Sequence, residues 1–183
     1  MARHASEPDA PCFGQPALVD YAAGLATLSK TMSPPIIRPL APEDQAAWRP
    51  LWDGYNAFYG RHGDTALPEH VTATTWQRFF DPGEPMFALV AEVEGSVVGL
   101  AHCLFHRSMT RVEPVCYLSD LFTDPVLRGK GIGRALIEGV YAQAGAAGAS
   151  RIYWQTHATN AAGRALYDQV ATHHGFVVYS REL

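Results

Sequence analysis

The chain has 183 residues, which suffices for one domain with a hydrophobic core. Hydrophobic residues make up 48% and charged residues 17%, as in globular proteins, and the formal net charge of −4 lacks the basic excess of nucleic-acid binders. No apolar run approaches the ~20 residues that span a membrane, and the N-terminus carries no signal-peptide core. We therefore expect a cytoplasmic protein without nucleic-acid or membrane partners.

The cysteines and histidines are not arranged as metal ligands. Cys12, Cys103 and Cys116 include no CxxC pair, and the eight histidines form no HExxH motif and no cluster at ligand spacing. Cys103 and Cys116 fall within apolar, strand-like runs and are expected to be small core residues. We predict neither a disulfide framework nor a metal site.

The N-terminal segment differs in composition from the rest of the chain. Residues 1–35 are rich in alanine, proline and serine and show no sustained periodicity. We interpret them as an extension that is flexible or loosely packed, and we place the folded domain at 36–183.

Hydrophobic periodicity divides residues 36–183 into ten helices and strands. Apolar and aromatic residues recur at helical spacing between 48 and 59, whereas 86–93 and 97–105 are short apolar runs joined by the hairpin signal Glu94-Gly95-Ser96. The predicted strands are 36–40, 86–93, 97–105, 115–123, 151–156 and 176–183, and the predicted helices are 43–61, 68–80, 131–147 and 161–173. This order predicts one mixed α/β domain, in which 151–156 runs parallel to 115–123 through a right-handed crossover.

A glycine-rich loop lies between the strand 115–123 and the helix 131–147. Its glycines alternate at 129, 131 and 133, where the missing side chains let a phosphate approach the backbone. The N–H groups at a helix start have no intrahelical partner and the helix dipole is positive there, so the loop is a candidate anion site. The dinucleotide pattern G-x-G-x-x-G fails because Arg134 replaces its last glycine, and the Walker pattern lacks its serine or threonine after Gly129-Lys130. Both failures argue against a site for NAD or ATP.

The run R-G-x-G-I-G after a strand that ends in Asp-Pro resembles the pyrophosphate signature [RQ]-x-x-G-x-[GA] of the GNAT acetyltransferases. The resemblance implies a mostly antiparallel central sheet with a β-α-β-α acetyl-CoA-binding core. It also implies that the loop N–H groups hold the pyrophosphate of acetyl-CoA and that the end of the preceding strand bonds the pantetheine amide. The implied cofactor-binding residues are Leu121, Phe122, Thr123, Arg128, Gly129, Lys130, Gly131, Ile132, Gly133, Arg134, Asn160 and Tyr167.

Asn160 and Tyr167 form a second pattern at the start of the last helix. Asn160 is a plausible N-cap, and Tyr167 follows it by close to two helical turns, so both side chains share one side of the helix about 10 Å apart. The pair resembles the N-x-x-(A)-x-x-L-Y pattern of GNAT enzymes, in which the Asn contacts pantetheine and the Tyr protonates the leaving thiolate. A tyrosine with an unperturbed pKa near ~10 stays protonated at neutral pH and can donate that proton.

The candidate base lies in the run Tyr117-Leu118-Ser119-Asp120-Leu121. This run resembles the Y-[LIF]-E-D-[LIF] motif of the histone/polyamine-type subgroup, in which the Glu is the usual base candidate. Ser119 occupies the Glu position, and regular alternation would point Asp120 to the opposite face of the strand unless a bulge changes the phase. Because the amine arrives as an ammonium ion, either Asp120 holds it or a water relayed by Ser119 removes its proton. The catalytic candidates are therefore Tyr167, Asp120 and Ser119.

The resemblance covers about residues 36–183 and implies transfer of an acetyl group from acetyl-CoA to a primary amine. It implies direct attack in a ternary complex without a metal, and polyamines, protein lysines or N-termini, amino acids and aminoglycosides all stay open as acceptors. A non-catalytic acyl-CoA-binding module is the alternative, against which Tyr167 argues. Gly175-Phe176 follows Tyr167 at a longer interval than in many GNAT chains, so we expect a homodimer in which a second subunit completes the substrate wall.

Overall fold

A computed structural model describes residues 33–183, so nearly all of the predicted extension lies outside the described residues. The strands are β1 Ile36–Pro39, β2 Met86–Val93, β3 Ser96–Ser108, β4 Arg111–Thr123 and β5 Arg151–Tyr153. The helices are α1 Gln45–Phe58, α2 Glu69–Arg78, α3 Ile132–Ala146 and α4 Ala161–Val170.

The five strands form one sheet in the order β1-β2-β3-β4-β5. Three of the four pairings are antiparallel, and α3 connects β4 to β5 as a parallel crossover. The mixed α/β class and the mostly antiparallel sheet are therefore confirmed. β3 and β4 extend to a hairpin at residues 108–111, beyond the predicted ends, because their last residues pair with each other outside the apolar core.

Helices cover both faces of the sheet and create two cores. On the first face, α3 contributes Leu136, Ile137 and Val140, which pack with Cys103 and Cys116. On the second face, the indoles of α1 and α2 pack against the sheet; the members of this cluster include Trp48, Trp52, Trp76, Leu100 and Phe122. Both strand cysteines are buried, as predicted for core residues.

An ion pair fixes the corner between β1 and α1. The buried carboxylate of Asp44 accepts hydrogen bonds from both terminal nitrogens of Arg38, at 2.7 and 2.9 Å, and from the Ala41 N–H at 2.8 Å. The Arg38 hydrogen bonds lower the pKa of Asp44 below its usual value, because they favour the ionised carboxylate. This corner sets the position from which α1 crosses the sheet.

The prediction of a last strand at 176–183 is wrong. Residues 171–183 form neither helix nor strand, and the side chains of Phe176 and Tyr179 are 82% and 91% exposed. The alternating apolar pattern favours a strand, but β-propensity is realised only when cross-strand and same-face neighbours pack against the side chains. In the described part of the chain, this segment finds no such neighbours. The helix before it also ends earlier than predicted, at Val170, and β5 ends at Tyr153.

Candidate active site

A β-bulge at Ser119 determines which way the candidate base points. His102 pairs with Asp120 and the next residue, Cys103, pairs with Leu118, so Ser119 is the extra residue of β4. In a regular strand, residues 118 and 122 would point to the same face of the sheet. Here Leu118, before the bulge, packs on the α3 face, whereas Phe122, after it, packs on the α1 face. The bulge therefore changes the phase of the strand and turns Asp120 toward α1.

Asp120 is held by a buried histidine. The Trp48 indole N–H donates to Nε2 of His102 at 2.9 Å, so Nε2 is the acceptor nitrogen of the ring. The proton is thereby assigned to Nδ1, which donates to Oδ2 of Asp120 at 3.0 Å. His102 is 2% exposed and the Asp120 side chain 15%, so these hydrogen bonds are shielded from bulk water. The other carboxylate oxygen contacts the Ser119 hydroxyl at 3.4 Å.

His102 and Trp48 belong to the site, although no motif in the sequence marks them. Trp48 lies in the apolar stripe of α1, and a hydrophobic pattern does not reveal the role of its N–H. His102 lies inside an apolar strand. A titratable residue in a buried run requires a partner, and that requirement was the available signal.

Tyrosines line the α1 side of Asp120. The Tyr55 hydroxyl donates to the Ser119 carbonyl at 3.4 Å, and burial together with the charge of Asp120 raises the pKa of Tyr55 well above its usual value. The Tyr59 ring lies 5.1 Å from the Tyr55 ring and 5.7 Å from the ring of His157, in the segment before α4. Tyr117 on β4 also lies within electrostatic reach of Asp120 and Tyr59. This set of Tyr55, Tyr59 and Tyr117 is called the tyrosine wall below.

The strands β4 and β5 separate next to Asp120. Their ladder contains three pairs and ends at Tyr117 opposite Tyr153, whereas β4 continues to Thr123. The edge of β4 from 118 to 123 therefore has no pairing with β5. Leu121, Phe122 and Thr123, which the resemblance assigns to pantetheine, lie along this opening. The Phe122 side chain is buried in the α1-side core, so only its backbone is available to a ligand.

The glycine loop ends in an open helix N-terminus. Gly129 and Gly131 have φ angles of 75° and 83°, in the left-handed region that favours glycine, and Gly131 is the N-cap of α3. A Cβ at either glycine would have no neighbouring atom within 4 Å, so the loop leaves room for a ligand against its backbone. The first turn of α3 carries no acidic residue, and Arg128 and Lys130 are exposed beside it. Of the other predicted loop residues, Ile132 is buried and Arg134 donates to Gln169 of α4.

Asn160 is the N-cap of α4, as its sequence position predicts. Its Oδ1 accepts from the Gly163 N–H at 3.1 Å, and its Nδ2 donates to the Thr156 hydroxyl at 2.9 Å. A Cβ at Gly163 would collide with the Asn160 amide, so the cap requires a glycine there. The role of Asn160 toward pantetheine stays a prediction.

Tyr167 lies half-buried on α4. Its ring meets Trp154 edge-on, with the ring centroids 5.5 Å apart. Burial, with a smaller contribution from Tyr59, raises the pKa of Tyr167 to about 12. The phenol therefore keeps its proton at neutral pH, which a proton donor requires.

Two structural findings concern other classes of site. Within residues 33–183, no three His, Cys, Asp or Glu side chains are grouped so that they could hold a metal ion. No helix in the same range is both long and apolar enough to cross a membrane.

The open N-terminus of α3, the separation of β4 from β5 and the carboxylate beside it form the arrangement that the resemblance to the GNAT acetyltransferases implies. The chain belongs to the GNAT family of acetyltransferases, whose family model matches residues 48–171. Members of this family use acetyl-CoA as the acetyl donor, and the chain is an N-acetyltransferase.

Among curated proteins, the chain is 37% identical over 148 residues to the D-amino-acid N-acetyltransferase HPA3 of Saccharomyces cerevisiae, covering 80% of this chain and 89% of the relative. It is 30% identical over 133 residues to the N-acetyltransferase YhfO of Bacillus subtilis, covering 73% and 86%. Among solved structures, AAC(6')-Iy in complex with a CoA bisubstrate analogue aligns with a TM-score of 0.71 at 17% identity, covering 82% of this chain and 99% of that one. At 17% identity, the similarity to AAC(6')-Iy shows a shared fold alone.

Proposed function

We propose that the protein transfers the acetyl group of acetyl-CoA to the primary amine of a small acceptor by direct attack in a ternary complex. The observation that carries this proposal is the position of Asp120, which the bulge turns toward the tyrosine wall and which His102 holds there. The yeast relative is a D-amino-acid N-acetyltransferase, and this supports an amino acid as the acceptor. Polyamines and protein lysines, the acceptors suggested by the subgroup motif, belong in the same test panel.

Asp120 receives the ammonium group and takes its proton. The freed amine nitrogen attacks the thioester carbonyl carbon, and the bond from that carbon to sulfur breaks as Tyr167 gives its proton to the departing thiolate. The nitrogen then loses its second proton to solvent, solvent reprotonates Tyr167, and the proton on Asp120 also passes to solvent, so that one proton is released for each acetyl group transferred. His102 donates its N–H to Asp120 throughout and does not itself take the proton, because the Trp48 N–H occupies its second nitrogen. Ser119 contributes a further polar contact to the free carboxylate oxygen.

We also propose a role in acetyl-CoA binding for each group of residues that the resemblance to the GNAT enzymes implies. The N–H groups of residues 129–134 hold the pyrophosphate at the start of α3, and the positive side chains of Arg128 and Lys130 add attraction from the surface. The opened edge of β4 bonds the pantetheine amide, as a strand edge bonds a peptide. Tyr167, whose raised pKa keeps the phenol protonated at neutral pH, donates its proton to the departing thiolate.

The Asp120→Asn variant tests the proposal. The amide keeps the size of the side chain but cannot take a proton, so kcat/KM for the amine should fall by roughly 100-fold, the scale of general base catalysis. Acetyl-CoA affinity, measured by isothermal titration, should stay within about threefold of wild type because the glycine loop proposed to bind the pyrophosphate is unchanged. Asp168→Asn, an exposed carboxylate on α4, is the matched control. Equal loss toward both substrates would assign Asp120 a structural role instead.

The protein is also proposed to be a homodimer in the cytoplasm. The apolar side chains of residues 176–179 are exposed, and the outer edge of β5 has no paired strand among residues 33–183. Pairing between subunits would cover both features and extend the substrate wall. Sedimentation of the full chain as a monomer at micromolar concentration would contradict this proposal.

A further inference from the structure

Arg61, just after α1, is a positioned cation that has no anionic partner among residues 33–183. Its backbone N–H donates to the Asn56 carbonyl at 2.9 Å, and its Nε donates to Oδ1 of the same residue at 2.7 Å. Asn56 is itself 4% exposed and anchored to the Trp52 carbonyl at 2.9 Å. Within residues 33–183, no carboxylate lies at ion-pair distance from Arg61, and its two terminal nitrogens make no hydrogen bond. The guanidinium is therefore pre-organised, with donors left for a ligand.

The guanidinium lies against the same tyrosine wall that borders Asp120. Its Cζ is 5.8 Å from the ring centre of Tyr55 and 5.5 Å from that of Tyr59. Tyr55 contacts Arg61 through its ring face, whereas its hydroxyl edge reaches the Ser119 carbonyl and Asp120. One tyrosine thus separates a carboxylate that can hold an ammonium group from a guanidinium that can hold an anion.

The arrangement suits a short zwitterion. Arg61 Cζ stands 5.8 Å from the ring centre of Tyr55, and the hydroxyl end of the same side chain lies beside Ser119 and Asp120, so the cation and the carboxylate border one tyrosine. In a free α-amino acid a single carbon joins the ammonium and the carboxylate, so one small molecule carries a group for each. A polyamine has no group for Arg61 and brings a second positive charge toward it.

We propose that Arg61 binds the carboxylate of the acceptor and so makes the enzyme selective for free α-amino acids. This inference rests on the proposed function, since Asp120 must hold the amine of the same molecule. Arg61 is a specificity residue that contributes to substrate binding and takes no proton. Its planar fork matches a carboxylate with two parallel hydrogen bonds, which a lysine cannot reproduce.

The test compares matched acceptors in wild-type and variant full-length protein. Leucine and leucinamide, each as the D and the L form, share the amine and the side chain and differ in the carboxylate. Their amines differ in basicity, but that difference cancels when the ratio of kcat/KM values, acid over amide, is compared between enzymes. In Arg61→Gln this ratio should fall by roughly 10- to 100-fold, the scale of a charge-assisted hydrogen-bond pair, while kcat/KM for the amide stays within about threefold.

Additional variants separate charge from packing. Arg61→Met keeps an apolar stem over the tyrosines and should show the same ratio as Arg61→Gln, whereas Arg61→Lys should lie between them and wild type. Arg107→Gln, an exposed arginine on β3, should leave the ratio unchanged.

The outcomes distinguish this inference from the function on which it rests. An unchanged acid-to-amide ratio in folded Arg61→Gln and Arg61→Met, with both acceptors still acetylated, overturns the role of Arg61 and leaves the acetyltransferase proposal standing. Turnover of spermidine with none of either leucine derivative overturns the amino-acid class. No acetyl transfer to any amine would overturn the proposed function itself.

Discussion

The hydrogen bond from His102 to Asp120 can be removed without removing the one from Trp48. Glutamine at 102 can accept from the Trp48 N–H near the former Nε2 position but offers Asp120 no donor. Asparagine places its amide nitrogen near the former Nδ1 position and so keeps the donor to Asp120 while losing the Trp48 contact. The pair of variants His102→Gln and His102→Asn therefore separates the two contacts of one imidazole.

The size of the effect follows from the burial of the contact. A hydrogen bond to a charged acceptor contributes about 1.5–3 kcal/mol, and the 3.0 Å contact between groups 2% and 15% exposed is of that kind. Since 1.36 kcal/mol is a factor of ten in rate, kcat/KM for the amine should fall roughly 10- to 100-fold in His102→Gln. His102→Asn should recover most of that loss.

The assay is release of free thiol at saturating acetyl-CoA, with urea unfolding measured on both variants. His102→Asn removes more side-chain volume and leaves the buried Trp48 N–H without its acceptor, so it should be the less stable of the two variants, and its higher activity could not come from stability. If both variants lose the same activity, or if their activities follow their stabilities, His102 supports the fold and does not position Asp120.

Three further predictions concern the cofactor side and the fold. Tyr167→Phe should lower the single-turnover rate of acetyl transfer by roughly 100-fold, and an unchanged rate would exclude Tyr167 from the mechanism. Because a proton donor fails only above its pKa, here about 12, the wild-type enzyme should lose no activity through Tyr167 below about pH 11. Gly131→Val puts a branched side chain at a φ of 83° into the space beside the glycine loop, and it should weaken acetyl-CoA binding at least about tenfold in calorimetry. Unchanged affinity would refute pyrophosphate binding at this loop. Asp44→Asn should cost about 2 kcal/mol of unfolding free energy at pH 7. Because the folded pKa of Asp44 lies below its unfolded value of 3.8, this difference should be constant above that value and vanish as the pH falls through the folded pKa; a difference that grows in acid would contradict the ion-pair explanation.

Local patterns predicted the fold where burial and periodicity agree. α3 and the strands β2 to β4 emerged from apolar spacing, and the glycine loop emerged from its position between them. The prediction of a strand at 176–183 is wrong because its alternating apolar pattern says nothing about whether a neighbouring strand is present to pair with it. A single sequence records which residues favour a strand, whereas pairing depends on contacts that are distant along the chain.

In the candidate site, too, local motifs identify some residues, whereas others are identified only by their contacts. Asp120 was found from its residue type and its neighbours in a motif, but its direction depended on a bulge, which is a relation between β3 and β4. His102 and Arg61 were missed because their significance comes from what they touch. His102 stands 18 residues from Asp120 and 54 from Trp48, separations that no local window includes.

The extra residue at Ser119 divides β4 into two stretches with separate duties. Leu118, just before the bulge, packs into the α3-side core, so a substitution there should change stability first. Asp120, just after it, faces the tyrosine wall, so a substitution there should change the proposed chemistry first. A strand without a bulge would couple these duties, because any shift in register would move core and site together. The insertion of one residue therefore allows the acceptor preference of this scaffold to change while its core stays constant.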